Sequence, residues 1–231
     1  MKISIIGCGY LGAVHAAAMA ELGHDVLGID TNSERVAALG SGRAPFHEPG
    51  LDKLLRSNST RLSFSRDISL ISDASVHFLA VGTPQSPDGS VEMSFVERAI
   101  ENLLPYLSEG DLIVGKSTVP VGTAVRLESK ISPSGAKLIW NPEFLREGFA
   151  VEDTLSPDRL VYGVSDKDSK HTTAKVLDDV YRKILDSGTP RLVMDFATAE
   201  LVKVAANSFL ATKISFKKFA ENEIGSTLSF E

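Results

Sequence analysis

Short apolar runs of strand length recur along the chain, separated by stretches with helical character. The runs are Lys2–Ile6, Asp25–Ile29, Leu62–Ser65, Val76–Val81, Asp111–Gly115, Lys137–Trp140, Leu160–Val164 and Arg191–Met194. Helices are predicted over the alanine-rich Ala13–Leu22, over Ser33–Gly40, Leu51–Arg56 and Asp67–Ser72, and onward from Thr123. Met93–Leu107 repeats its apolar residues at helical spacing through Val96, Ala99, Ile100, Leu103 and Leu107. Ser169–Asp186 does the same through Val176, Leu177, Val180, Tyr181, Ile184 and Leu185, and Thr198–Phe216 reads as a final helix. Strand and helix alternate over residues 1 to 195, which predicts an α/β fold with a doubly wound, mostly parallel sheet.

The first strand runs directly into Gly7-Cys8-Gly9-Tyr10-Leu11-Gly12, then into a helix, and a second strand closes on Asp30. Strand, G-x-G-x-x-G turn, helix, strand and acid in this order form a dinucleotide-binding fingerprint of Rossmann type. Gly7 allows the tight bend, Gly9 lets backbone amides approach a pyrophosphate, and Gly12 lets the helix sit close to the strand. An acid at Asp30 can accept hydrogen bonds from ribose hydroxyls and repels a 2′-phosphate, so NAD is expected over NADP. Arg35 has two readings, a partner for a 2′-phosphate or a solvated helix residue on the adenine side.

In such a sheet, ligands collect at the carboxyl ends of the strands. Gly82 and Thr83 stand at one such end and Thr118 at another. Asn141–Gly148 follows a third and carries two carboxylates, Glu143 and Glu147, which would share one face if the segment were helical. They serve either as cleft residues or as a solvated acidic face. Lys203 and Asn207 stand at i and i+4 in an otherwise apolar helix, where a lysine is costly to bury without a partner. Pro45–Leu51, bounded by prolines, is a stiff loop with either a functional or a connecting role.

The chain has 231 residues and a formal net charge of −6, with no basic cluster to serve as a nucleic-acid footprint. No apolar run reaches membrane-spanning length, and no charged-then-apolar leader precedes the first strand, so neither a membrane nor an export route is expected. One cysteine, Cys8, excludes an internal disulfide framework and makes a reducing cytoplasm the expected compartment. Cys8 lies inside the phosphate turn and reads as a packing residue. The five histidines show no ligand-like spacing, so no metal site is expected.

Taken together, Ile6–Gly12 with Asp30, Glu48–Leu51, Val81–Pro84, Lys116–Gly122, Asn141–Gly148, Pro157–Arg159 and Glu200–Ser215 resemble the N-terminal half of the UDP-glucose 6-dehydrogenase family of nucleotide-sugar dehydrogenases. The resemblance implies oxidation of a sugar C6 alcohol to a carboxylate with two NAD, through an aldehyde captured by a cysteine and a thioester that water hydrolyses. It places Gly7, Gly9, Tyr10, Leu11, Gly12, Asp30, Arg35, Thr83, Ser117 and Glu147 against the cofactor. Thr118 and Glu143 fall on base or water-handling positions. Lys203 matches the lysine that stabilises charge on the C6 oxygen, and Asn207 the asparagine that helps hold it. Phe144, Leu145 and Glu147 belong to the loop facing UDP-glucose or a related nucleotide sugar.

The family's cysteine nucleophile and its UDP-sugar-binding domain come after the matched segments, and residues 217–231 do not follow the family pattern. The expected organisation is an NAD-binding domain over 1–195, followed by the start of a central connecting helix over 196–231. The domain is expected to bind NAD without completing the oxidation alone. A stand-alone NAD-binding module and a dehydrogenase of GDP-mannose or a UDP-N-acetylhexosamine are the competing readings. Family members pair through the central helix, so a homodimer through Thr198–Phe216 is a further expectation.

Overall fold

The computed structural model describes residues 1–168 and 171–224. Its centre is an eight-stranded sheet in the order β3-β2-β1-β4-β5-β6-β7-β8. The strands are β1 Lys2–Ile6, β2 Asp25–Ile29, β3 Leu62–Ser65, β4 Val76–Leu79, β5 Leu112–Gly115, β6 Lys137–Trp140, β7 Leu160–Val164 and β8 Arg191–Asp195. Neighbours run parallel except β6 and β7, which meet antiparallel at Trp140 opposite Gly163. The chain winds from β1 outward to β3, then returns to β4 on the other side of β1. That reversal opens a crevice above the β1 and β4 carboxyl ends, the expected ligand position in an open α/β sheet.

The helices are α1 Tyr10–Glu21, α2 Ser33–Gly40, α3 Leu51–Ser57, α4 Ser94–Leu103, α5 Thr123–Ile131, α6 Ala150–Leu155, α7 Thr172–Val180, α8 Arg182–Asp186 and α9 Phe196–Ile224. They cover the sheet on both faces. Strand residues alternate between the two cores, with Phe78, Val114 and Ile139 on one side and Leu79, Ile113 and Trp140 on the other. Helix α1 has no polar face, because its alanines, Val14, His15 and Met19 are buried all round. Small side chains let it lie close to the strands, and a Cβ on Gly12 would collide with the Gly7 carbonyl oxygen.

Several elements differ from the sequence reading: β4 stops at Leu79, α1 begins at Tyr10, Asp67–Ser72 is a 3-10 helix over Ile68–Asp73, and α4 ends at Leu103. Asn141–Gly148 is a loop, so Glu143 and Glu147 do not share a helical face. Pro142 donates no backbone hydrogen bond, and the Glu143 carboxylate captures the Leu145 N–H at 2.6 Å, which competes with a helical turn. The single helix expected over Ser169–Asp186 is two, broken at Tyr181, and its start at Ser169 lies outside the described residues. Helix α9 begins at Phe196, two residues before the expected start, because Asp195 caps it by accepting the Thr198 N–H at 2.8 Å. It also runs past Phe216 to Ile224, whereas residues 225–231 of the atypical tail lie outside the described residues.

Candidate cofactor and substrate site

The phosphate turn is built as its glycines require. Gly7 adopts φ 88°, and a Cβ there would press on Val81 at the end of β4. A Cβ on Gly9 would meet nothing within 4 Å, so the space above this backbone is open. Asp30, 7% exposed, accepts from the Cys8 N–H at 2.8 Å and the Asn32 N–H at 2.9 Å. Arg35 donates to both carboxylate oxygens, at 2.9 and 3.1 Å. Arg35 is therefore paired with Asp30 at the tip of β2. Gly9, Tyr10, Asn32, Arg35, Pro45 and Phe46 line one cleft beside the turn. An open backbone at Gly9, the amino end of α1 and a buried acid at the tip of β2 together fit a dinucleotide such as NAD.

The strand ends beside the turn are stitched together by hydroxyls. Ser117 donates to the Val81 carbonyl at 2.7 Å, and Thr83 donates to the Thr118 carbonyl at 2.8 Å. Thr118 is half-buried at the same level. Cys8 has no place in the chemistry, since burial, the largest influence, pushes its thiol far above the usual range and the Asp30 charge adds to this.

On the other side of α1 lies a cavity of about 260 Å³, bordered by Leu11, His15, Lys116 and the loop from Asn141 to Arg146. Lys203, 5% exposed, reaches from α9 to Glu143 at 3.1 Å. The Phe144 ring is approached by two cations, with the Arg159 guanidinium at 4.7 Å and the Lys203 ammonium at 5.4 Å from its centre. Lys203 and Asn207 do not converge, because Lys203 is buried against the loop while Asn207 is exposed. Glu147 is exposed and Leu145 half-buried.

Beneath this loop lies a buried polar network that sequence reasoning gave no role. Lys116, at the end of β5, donates to the Asn141 carbonyl at 3.2 Å and to its side-chain oxygen at 3.0 Å. Tyr181 donates to the same side-chain oxygen at 2.8 Å, and the Asn141 amide donates to the Val161 carbonyl at 2.9 Å. Burial lowers the Lys116 pKa to about 8, helped by the Lys203 charge and opposed by Glu143. His15 borders the same cavity; burial and then Lys116 keep its imidazole neutral. The rule that ligands gather at strand ends points at Lys116 and Asn141 and was a usable signal. Glu48 and Glu200, both buried, stand out in the sequence only as members of the segments that resemble the family.

Residues 1–185 match the family model described as the NAD binding domain of the UDP-glucose/GDP-mannose dehydrogenase family. The chain is 41% identical over 224 residues to a UDP-glucose 6-dehydrogenase of Rhizobium meliloti, covering 94% of this chain and 51% of that protein. A UDP-glucose dehydrogenase structure from Pyrobaculum islandicum superposes with a TM-score of 0.86 at 40% identity, over 97% of this chain and 52% of that one. A ternary complex of GDP-mannose dehydrogenase from Pseudomonas aeruginosa superposes with a TM-score of 0.87 at 32% identity, over 94% and 52%. The chain thus spans about half the length of these relatives. No helix among the described residues is long and apolar enough to cross a membrane. The match over most of the chain, with the phosphate turn and its acid in place, makes it a member of the UDP-glucose/GDP-mannose dehydrogenase family, carrying that family's NAD-binding domain.

Proposed function

We propose that this chain is the cofactor half of an NAD-dependent dehydrogenase that oxidises the C6 alcohol of UDP-glucose to a carboxylate. The observation that carries this reading is the buried Lys203–Glu143 pair, set above the β5 and β6 ends and next to the cofactor turn. NAD, when bound, supplies the hydride acceptor. The residues proposed to hold it are Gly7, Gly9, Tyr10, Leu11, Gly12, Asp30, Arg35, Thr83, Ser117 and Glu147.

An alcohol that loses hydride must also lose its proton, and negative charge builds on oxygen as it does so. A buried ammonium fixed before the reaction stabilises that charge without reorganising. In this proposal Lys203 is that group. Glu143 holds it in place and, with Thr118, handles the proton or a water, while Asn207 joins once a nucleotide sugar is present. Phe144 and Leu145 face the sugar. Higher identity to the UDP-glucose enzymes than to the GDP-mannose enzyme favours UDP-glucose. The completing residues, including a cysteine nucleophile, come from outside these 231 residues, since Cys8 is sealed in the turn.

The test is a calorimetric NAD titration of the wild type and of Gly9→Val, Asp30→Ala and Gly12→Ala. Gly9→Val folds and loses NAD, because its side chain occupies space that only a ligand would fill. Asp30→Ala weakens binding, and Gly12→Ala unfolds the domain by roughly 3 kcal/mol or more through overpacking against Gly7. Unaltered affinity in both Gly9→Val and Asp30→Ala would sink the proposal.

A further inference from the structure

One buried carboxylate holds both the cofactor turn and the end of the loop Asn141–Gly148. Glu48, 6% exposed, lies in the Pro45–Leu51 loop. Its Oε2 accepts from the hydroxyl of Tyr10, the residue directly after Gly9, and from the Gly148 N–H at 3.0 Å. Its Oε1 faces the Val151 N–H at 3.3 Å, in the first turn of α6. The Gly148 N–H also points at the Tyr10 hydroxyl at 3.2 Å. The Tyr10 and Phe46 rings pack with centroids 5.0 Å apart, and both border the cleft beside Arg35.

We infer that Glu48 is a positioning residue that couples NAD occupancy to the geometry of the substrate-facing loop. This rests on the function proposed above. Tyr10 forms the wall of the cofactor cleft, and Gly148 is the hinge at the far end of the segment that carries Glu143 and Phe144. Gly148 adopts φ 83°, so the direction in which the loop leaves is set at this residue. A ligand that orders Tyr10 therefore orders Gly148 through their shared acceptor Glu48 and the direct Gly148–Tyr10 contact, and the converse holds by reciprocity.

The chemistry of the acceptor is specific. Three donors converge on one carboxylate, and a glutamine of the same shape would turn an N–H donor toward one of them. A buried N–H would then lose its acceptor, which is costly. The Tyr10 phenol stays a donor over the working pH range, because burial and then the bond to Glu48 push its pKa up to about 12. Asp52 secures the loop from its other end by accepting the Ala44 N–H at 2.8 Å. Glu48 itself needs no contact with either ligand.

Hydrogen–deuterium exchange at the Gly148 and Val151 amides, with and without NAD, tests the coupling alongside calorimetric titration of the same proteins. In the wild type, NAD slows exchange at both amides. Glu48→Gln loses that NAD-dependent protection and binds NAD about tenfold more weakly, the consequence of leaving a buried N–H without its charged acceptor. Tyr10→Phe, which removes one hydroxyl and keeps the ring, reduces the protection at Gly148 more than at Val151. It carries the test if Glu48→Gln fails to fold. A folded Glu48→Gln, or a Tyr10→Phe, with wild-type affinity and wild-type protection overturns the coupling and leaves NAD binding standing. A wild type that binds no NAD overturns the function proposed above and the coupling with it.

Discussion

Lys116 shows what one residue contributes when it is buried without a carboxylate of its own. Its ammonium is held by two oxygens of Asn141, and its pKa falls from 10.5 to about 8. Between those two pH values the unfolded chain keeps a proton on Lys116 that the folded chain has released, so stability rises with pH across that window. Relative to Lys116→Met, the wild type should therefore gain up to about 3 kcal/mol between pH 8 and pH 10.5. Urea unfolding of both proteins at the two ends of the window measures it, and parallel pH profiles would refute it. Residues whose identity answers a backbone demand, such as Gly7, Gly12 and Asp30, were legible in the sequence. Glu48 was not, because its partners Gly148 and Val151 lie 100 and 103 positions away and only the folded sheet brings them together.

Among the elements, α9 and α5 are joined by a contact that no local pattern announces. Glu200, in the second turn of α9 and 1% exposed, accepts the Gly122 N–H at 2.7 Å and the Ala124 N–H at 2.6 Å. The amino end of α5 thus takes its cap from a helix 76 residues later in the chain. Removing it leaves the buried Ala124 amide unpaired and the Gly122 amide without its cap, so Glu200→Ala should cost about 2 to 3 kcal/mol. Faster amide exchange at Gly122 and Ala124, with a lower unfolding midpoint, is the expected signature; unchanged exchange would mean that α5 caps itself. The element types read from hydrophobic spacing held for every strand. Three of the departures lie where side chains compete with the backbone: Glu143 unwinding its segment, Asp195 starting α9 early, and Tyr181 pinned to Asn141 at the α7–α8 break.

For the molecule as a whole, the sheet order follows from the alternation of strand and helix, while the antiparallel turn between β6 and β7 had no sequence signature. Beyond Lys203, α9 presents Phe209, Leu210, Ile214, Phe216 and Phe219, each more than half exposed. Phe209 and Phe216, seven apart, share one side of the helix. We propose that this side pairs two copies of the chain. Sedimentation velocity should then show concentration-dependent association that Phe209→Glu with Phe216→Glu abolishes; a monomer at all concentrations would exclude it.

The reversal at Trp140 and Gly163 decides where α9 goes. Because β7 and β8 run against the other strands, the helix starts at the sheet edge far from the cofactor turn. It passes Gly163, where an added Cβ would lie 2.6 Å from Ala199, and climbs toward the turn. It is gripped by Glu200 and Lys203 and then continues outward to Ile224. A rod clamped near one end is a lever arm. At about 1.5 Å per residue the arm beyond Lys203 is about 30 Å long, and a tilt of roughly 5° at the clamp sweeps its tip by about 3 Å. Any change of tilt at the Glu143–Lys203 pair is thereby magnified at the far end of the described helix.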